Sequence, residues 1–467
     1  MHKRRGKINS TVRRVKRFCL SDMVCLFGRW LCVIPLVNRD KRKRLFCSER
    51  TFWLFLSQVL QGNISCKGTV QKALAWLCLK EGKTASPNSA GYCKARKRLK
   101  LDDIEAIFHG MTEQVEPHIT PELLWHNRAV NIVDGSSISM PDTVENQNAY
   151  PQPTTQKPGC GFPVMRLVAI FSLATGALLR LAFGPLAIGE RALFHSLWQW
   201  LKKGDIVLAD RGFCSFAELW LLLQRGIDSV TRIHQRRTKS VRTIKRLGAG
   251  DLLVEWGKTN VCPEWLDKLI WLSIPDFMIV RHITFSIDIK GFRTKKITIV
   301  TTLLDPHLFP KESFIDLYRR RWLAEIFLRD IKTSMGMDIL KCKTPDMIQK
   351  ELYLYLIAYN LIRRLMLHAD HSYSVSPLRI SFKETCDTLR QWLPLLQSVH
   401  LSKNLFHSMV HALLDYIALN LVPLRPDRAE PRARKRRPKQ YQLLNKPRSE
   451  FKEIYHRNTY SKDSVGT

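Results

Sequence analysis

The chain has 467 residues, 45% of them hydrophobic, which calls for roughly two to four packed units and excludes wholesale disorder. Lys and Arg total 75 against 41 Asp and Glu, a formal net charge of +34, so the surface repels itself unless it meets a polyanion. Nucleic acid is the usual such polyanion, with an acidic membrane surface as the rival, and no run of roughly 18 uninterrupted apolar residues is present to make a transmembrane helix.

Residues 1–45 form a basic amino-terminal segment with dense clusters at 3–17 and 39–44, suited equally to tracking phosphates or to a solvated tail. Its apolar stretch, 18–37, is broken by Asp22, Arg29 and Pro35 and makes a poor signal peptide. Residues 46–125 read as a helical unit, with three- and four-residue apolar spacing at 51–60 and 70–79. Ser86-Pro87-Asn88-Ser89 opens a further helix carrying Tyr92, Lys94, Arg96, Lys97 and Arg98, an aromatic and basic mix suited to phosphate contact or to a solvated face.

From Ala129 the period changes. A short apolar strand, 129–133, ends at Asp134-Gly135, a common turn pair. Residues 165–173 and 177–183 read as a hairpin of buried strands around Ala174-Thr175-Gly176. A helix follows at 190–201, then a strand at 205–209 ending at Asp210-Arg211-Gly212-Phe213, a helix at 216–224 and a strand at 227–233. Residues 236–304 hold several short strands and read as a β-rich insertion. One helix is then expected over 312–334 and another over 345–368, followed by a helical segment to 424. The stretch 425–467 is a basic tail with no core-forming pattern. Twelve scattered cysteines without a C-x-x-C pair argue for reduced, mostly buried cytoplasmic thiols rather than zinc ligands or disulfides.

Three carboxylates have addresses that suit metal chemistry. Asp134 and Asp210 each follow a strand, and sites in α/β sheets gather at strand carboxyl ends. Glu325 lies on a later helix and would close the set. Hard divalent cations take oxygen ligands, and a pair of them can activate an attacking oxygen and stabilise a leaving one. On the same helix Tyr318, Arg321, Glu325 and Lys332 share one face, where the cations and the phenol would grip phosphates beside the acid. A salt-bridged solvated face, for instance Glu325 with Arg329, is the plainer alternative.

The pattern Tyr318-x2-Arg321-x3-Glu325-x6-Lys332 resembles the signature of the insertion-sequence-four family of bacterial DDE transposases. Ile132-Val133-Asp134-Gly135 resembles that family's first-Asp block, and Gly204 through Phe213 its second. The likeness extends over roughly residues 50–365. It implies a ribonuclease-H-like α/β core with a mixed sheet over 126–370, interrupted by a β-rich insertion at about 236–304 and preceded by a helical DNA-binding unit. It implies Asp134, Asp210 and Glu325 as ligands of two Mg²⁺ or Mn²⁺ ions, with Tyr318, Arg321 and Lys332 as DNA contacts; Arg211 and Arg329 beside them are further candidate DNA contacts. The implied activity is cleavage at transposon ends followed by 3′-hydroxyl strand transfer. The partners would be double-stranded DNA, both terminal inverted repeats and target, bound by a homodimer without a membrane, in a cytoplasmic, nucleoid-associated protein. Some relatives hold a flipped base with a tryptophan in the insertion. The comparable strand here, 297–302, has none, and Trp256, Trp265 and Trp271 lie earlier and read as core. Alternatives are an inactive DNA-binding regulator, a nuclease that never joins, and a nucleic-acid-coating protein.

Overall fold

The computed structural model describes residues 26–28, 30–31, 36, 44–82, 84–114, 119–233, 241–286, 296–373, 376–396, 402–424, 446–447 and 450. The basic clusters expected at 3–17 and 39–44 and the tail from 425 lie almost wholly outside the described residues, Arg44 being among the few described. Among the described residues, no helix is long and apolar enough to cross a membrane.

Among the described residues, the sheet is preceded by α1 (Ser48–Leu60), α2 (Cys66–Glu81), α3 (Ala90–Arg98) and α4 (Leu101–Glu113). The Ser65 hydroxyl caps α2 by accepting from the Gly68 N–H at 3.0 Å, and left-handed Gly82 ends it. α1 is buried on almost every side. On α3 the aromatic-basic face turns half inward, against expectation. Tyr92 and Arg96 are buried, and the Arg96 guanidinium donates to the Cys66 and Cys342 sulfurs at 3.1 and 2.8 Å over the Phe55 ring. Only Lys94, Lys97 and Arg98 of that set face solvent. The reason is length: nine residues make too short a helix to bury a separate apolar stripe, so Tyr92 and Arg96 cover the joint with α1.

A nine-stranded sheet follows, counted among the described residues, in the order β3-β2-β1-β4-β5-β9-β8-β7-β6. Its strands are β1 (Val130–Ser139), β2 (Val164–Ser172), β3 (Leu178–Pro185), β4 (Ile206–Ala209), β5 (Asp228–Arg232), β6 (Arg242–Gly248), β7 (Asp251–Gly257), β8 (Phe277–Ser286) and β9 (Lys296–Thr301). β1, β2 and β3 are antiparallel, and β4 and β5 run parallel to β1. That mixed half is ribonuclease-H-like. β6 to β9 form an antiparallel meander that joins β5 through β9, so the β-rich stretch extends the same sheet. Interspersed are α5 (Val144–Ala149), α6 (Glu190–Leu197), α7 (Phe216–Gln224) and α8 (Lys268–Ser273). α9 (Lys311–Arg320), α10 (Leu323–Arg329), α11 (Pro345–Tyr373), α12 (Phe382–Leu396) and α13 (Lys403–Leu419) complete the order.

Strand alternation divides the core. Ile132, Leu208 and Ile299 face α10 and α11 on one side. Val133, Val207 and Ala209 face α6 on the other, against Leu193, Phe194 and Leu197. A third cluster, Val254, Trp256, Trp271, Val280 and Val300, packs under Phe216 and Leu219 of α7. Trp256 and Trp271 are therefore core residues, and Trp265 is wedged partly buried beside Trp198 and His195. The described cysteines are all free thiols; Cys160, Cys214, Cys342 and Cys386 are buried, and Cys78 alone among them is exposed.

Candidate active site

β1 and β4 are parallel and in register, with Val133 opposite Ala209. Asp134 and Asp210 are the next residue on each, so they stand side by side about 5 Å apart along the sheet. Both share the parity of Ile132 and Leu208, which points them toward the α10 face. β1 does not stop at Asp134, as its turn-like Asp-Gly pair suggested. It continues to Ser139, because β2 pairs with it from Asn131↔Ser172 to Ser139↔Val164. The site forms where the shorter parallel neighbour ends, not where β1 ends.

The expected single helix over 312–334 is in three pieces. α9 ends at Arg320, α10 starts at Leu323, and residues Asp330–Ser334 form a π-helical turn. α10 packs against β1, and its Phe327 ring lies 5.4 Å from that of Phe171 on neighbouring β2. Glu325 pairs with Arg321, Nη2 to Oε1 at 3.0 Å, rather than with Arg329, which lies 3.6 Å from Asp330.

The Asp134 carboxyl is pushed up to about 6. Burial is the main cause; the Gly135 N–H, at 2.9 Å, and Arg321 oppose it, while Asp210 and Glu325 raise it further. The acids and Arg321 thus share one field. Burial by itself would lower the Arg321 guanidinium, but Tyr318, Glu325 and Asp134 raise it. The Asp210 carboxylate accepts from the Gly212 N–H at 2.7 Å, which fixes the short turn after β4.

The expected phosphate contacts divide by exposure. Arg211 and Arg329 are exposed, and Arg321 and Lys332 are half-buried. Tyr318 is buried, 6.0 Å from the Arg321 guanidinium; burial pushes its hydroxyl up to about 12, so it stays protonated at neutral pH. Lys332 reaches back to β1 and donates to Ser136 Oγ at 3.0 Å and the Ser137 carbonyl at 2.7 Å.

Two neighbours escaped the sequence reading. The Glu190 carboxylate lies flat on Gly135, so near that a Cβ there would meet it at 2.6 to 3.0 Å. Arg191 donates from Nε to the Gly212 carbonyl at 2.8 Å, tying the start of α6 to the turn after Asp210. Their only sequence signal is a charged pair opening a helix. The donors around Asp134 and Asp210 are carboxylate and hydroxyl oxygens, the chemistry that Mg²⁺ and Mn²⁺ prefer. Among the described residues no three acidic, histidine or cysteine side chains form a ready cage, and Glu325 is turned to Arg321. Mg²⁺ does not need such a cage, since one or two carboxylates plus substrate phosphate and water complete its shell.

A family model described as a transposase DDE domain matches residues 125–361, just over half of the chain. The chain belongs to the DDE transposase family. Within it, this transposase falls in the insertion-sequence-four branch. It is 29% identical over 403 residues to "Transposase InsG for insertion sequence element IS4" of Escherichia coli (strain K12), covering 86% of this chain and 88% of that relative. A second relative from the same organism, InsZ, is 29% identical over 136 residues, 28% of this chain and 45% of its own length. Among solved structures, a piggyBac transposase synaptic complex with hairpin DNA superposes with a TM-score of 0.42 at 9% identity, over 87% of this chain and 83% of that one.

Proposed function

We propose that this transposase cuts DNA at the ends of its own mobile element and joins the freed 3′-hydroxyl ends to target DNA, with Asp134, Asp210 and Glu325 holding two divalent cations. The observation that carries the reading is the registered pair Asp134–Asp210 at neighbouring parallel strands, with the Glu325 helix packed over the same face. Bound Mg²⁺ or Mn²⁺ would supply Lewis-acid activation of the attacking oxygen and charge neutralisation at the leaving one.

The chain's own residues account for the rest. A cation would favour the charged form of Asp134 further, adding to the Gly135 N–H and Arg321 that already oppose the effect of burial. Arg321 neutralises Glu325 in the DNA-free protein and exchanges that partner for a phosphate when DNA enters. Lys332 adds a point charge at the other side of β1, and the exposed Arg211 and Arg329 extend the cationic border. The exposed Lys94, Lys97 and Arg98 of α3 offer further phosphate contacts, which hold DNA without reading its sequence. Two element ends require two copies of the site, hence a homodimer on DNA.

The test incubates the full chain with duplex DNA carrying the genomic sequence that flanks its gene, a supercoiled target plasmid and Mg²⁺, beside Asp210→Asn and Glu325→Gln. Cleaved and joined products from the parent protein alone are expected. Cleavage without joining would favour a nuclease, intact DNA bound tightly would favour a regulator, and equal product from all three proteins would remove the assigned roles.

A further inference from the structure

Behind Glu325 lies a buried charge pair that the chemistry above does not use. Asp330 opens the π-helical turn and is almost fully buried. Its Oδ2 accepts from Arg363 Nη2 at 3.0 Å, and both side chains are over nine-tenths inaccessible. Arg363 also donates from Nε to the Tyr359 hydroxyl at 2.9 Å, and that hydroxyl donates to the Gly176 carbonyl at 2.6 Å. The guanidinium is stacked among Phe327 at 4.6 Å, Phe382 at 5.0 Å and Tyr359 at 5.3 Å. Gly176, left-handed at φ 70, sits tightly under the same groups: a Cβ would meet Phe327 at 3.1 Å and the Arg363 Cζ at 3.2 Å.

A buried ion pair is poor value for stability alone, because desolvation roughly cancels attraction; a defined geometry is the better reason to keep one. Here the geometry is unusual. The Met335 N–H donates to the Asp330 carbonyl at 3.1 Å, five residues back, and the Asp338 N–H to the Lys332 carbonyl at 3.1 Å, six residues back. A π turn holds about one residue more than an α turn, so everything after it is rotated by roughly 100° from where an α-helix would put it. Lys332 lies inside this turn with its ammonium at Ser136 and Ser137, and the segment after the turn runs Asp338 to Leu340 along Ser139 of β1. Arg363 meets this segment at Phe327 and Asp330, two and five residues past Glu325, on the opposite side of the helix from the acid.

We propose that Arg363 is a positioning residue: by holding Asp330 it keeps the π turn in place and so aims Lys332 at β1 beside Asp134. The proposal rests on the catalytic reading above for its effect on rate, but its effect on Lys332 stands independently. Two readouts test it on the full chain. The first is trace acetylation with an activated acetate ester, read by mass spectrometry at Lys332 against exposed Lys97. In Arg363→Met the Lys332 amine is released and its labelling rises several-fold, on the order of a tenfold loss of protection, while Lys97 is unchanged. The second is a double-mutant cycle in DNA cleavage. Arg363→Met loses roughly 10- to 100-fold in rate, and Arg363→Met with Lys332→Met is no slower than Lys332→Met alone.

Unchanged Lys332 labelling, or losses that multiply in the double variant, overturns the proposal. If the parent protein cuts no DNA, the catalytic reading fails and the labelling alone decides the positioning. If Arg363→Met does not fold, the near-isosteric Asp330→Asn removes the charge pair from the other side and is judged by the same two criteria.

Discussion

Arg281 offers a stability prediction whose size can be worked from its contacts. Its side chain is fully buried on β8 and grips Asp251 of β7 with two hydrogen bonds, Nε to Oδ1 at 2.8 Å and Nη2 to Oδ2 at 2.6 Å. The same guanidinium donates to the Phe309 carbonyl at 2.8 Å and the Asp305 carbonyl at 3.3 Å, and lies 5.3 Å from the Phe314 ring on α9. Arg281→Met keeps the bulk but strands a buried carboxylate and removes the donor to two carbonyls. Breaking a buried pair from one side costs about 3–5 kcal/mol. Replacing both partners, as in Arg281→Met with Asp251→Leu, removes the stranded charge and recovers most of that loss. Urea unfolding followed by tryptophan fluorescence measures both, because Trp256 and Trp271 lie in the core against these strands. A single-variant loss below about 1 kcal/mol, or a double variant as unstable as the single, would refute the reasoning.

His282, the neighbour of Arg281, is buried with an unpaired Nε2, and burial pushes its imidazole down to about 4. The fold therefore favours the neutral ring: its contribution is complete above pH 6.5 and falls as pH drops toward 4, by about 3 kcal/mol across that window. Unfolding measured from pH 7 to 4.5 checks the slope, and His282→Leu flattens it. Gly250 turns the β6–β7 hairpin at φ 68, and a Cβ there would lie 2.7 Å from the Thr284 carbonyl oxygen. That carbonyl is held close because the Thr284 N–H donates to the Gly250 oxygen at 2.7 Å. Gly250→Ala costs about 2 kcal/mol or more in the same unfolding assay, and a neutral result contradicts the left-handed turn.

Each aspartate alone read as a turn former as readily as a site residue; it was their shared place after an apolar strand, together with the later Tyr-Arg-Glu-Lys spacing, that marked them. The sequence hid the continuation of β1 through Gly135, Ser136 and Ser137, whose weak strand preference is overridden by pairing with β2. The Tyr-Arg-Glu-Lys face was legible as helical spacing, but no Gly or Pro marks the break after Arg320 or the π turn at Asp330. Asp330 and Arg363 are 33 residues apart, so the contact that accompanies the turn is tertiary and leaves no local pattern. Tyr92 and Arg96 misled for a related reason: on a short helix a long cation can be internal while reading as surface. The strands of the insertion were evident, whereas their pairing with β5, which depends on β9 returning antiparallel, was not.

That return has a mechanical outcome. Three rungs, from Val230↔Thr301 to Arg232↔Ile299, weld the meander to the half that carries Asp134 and Asp210 through the buried middle of the sheet. Swinging one half against the other would tear main-chain bonds in the buried middle of the sheet. Accommodating a duplex thus falls to loops and side-chain rotations, and a bend introduced at the meander is transmitted to β4 and the acid beyond it.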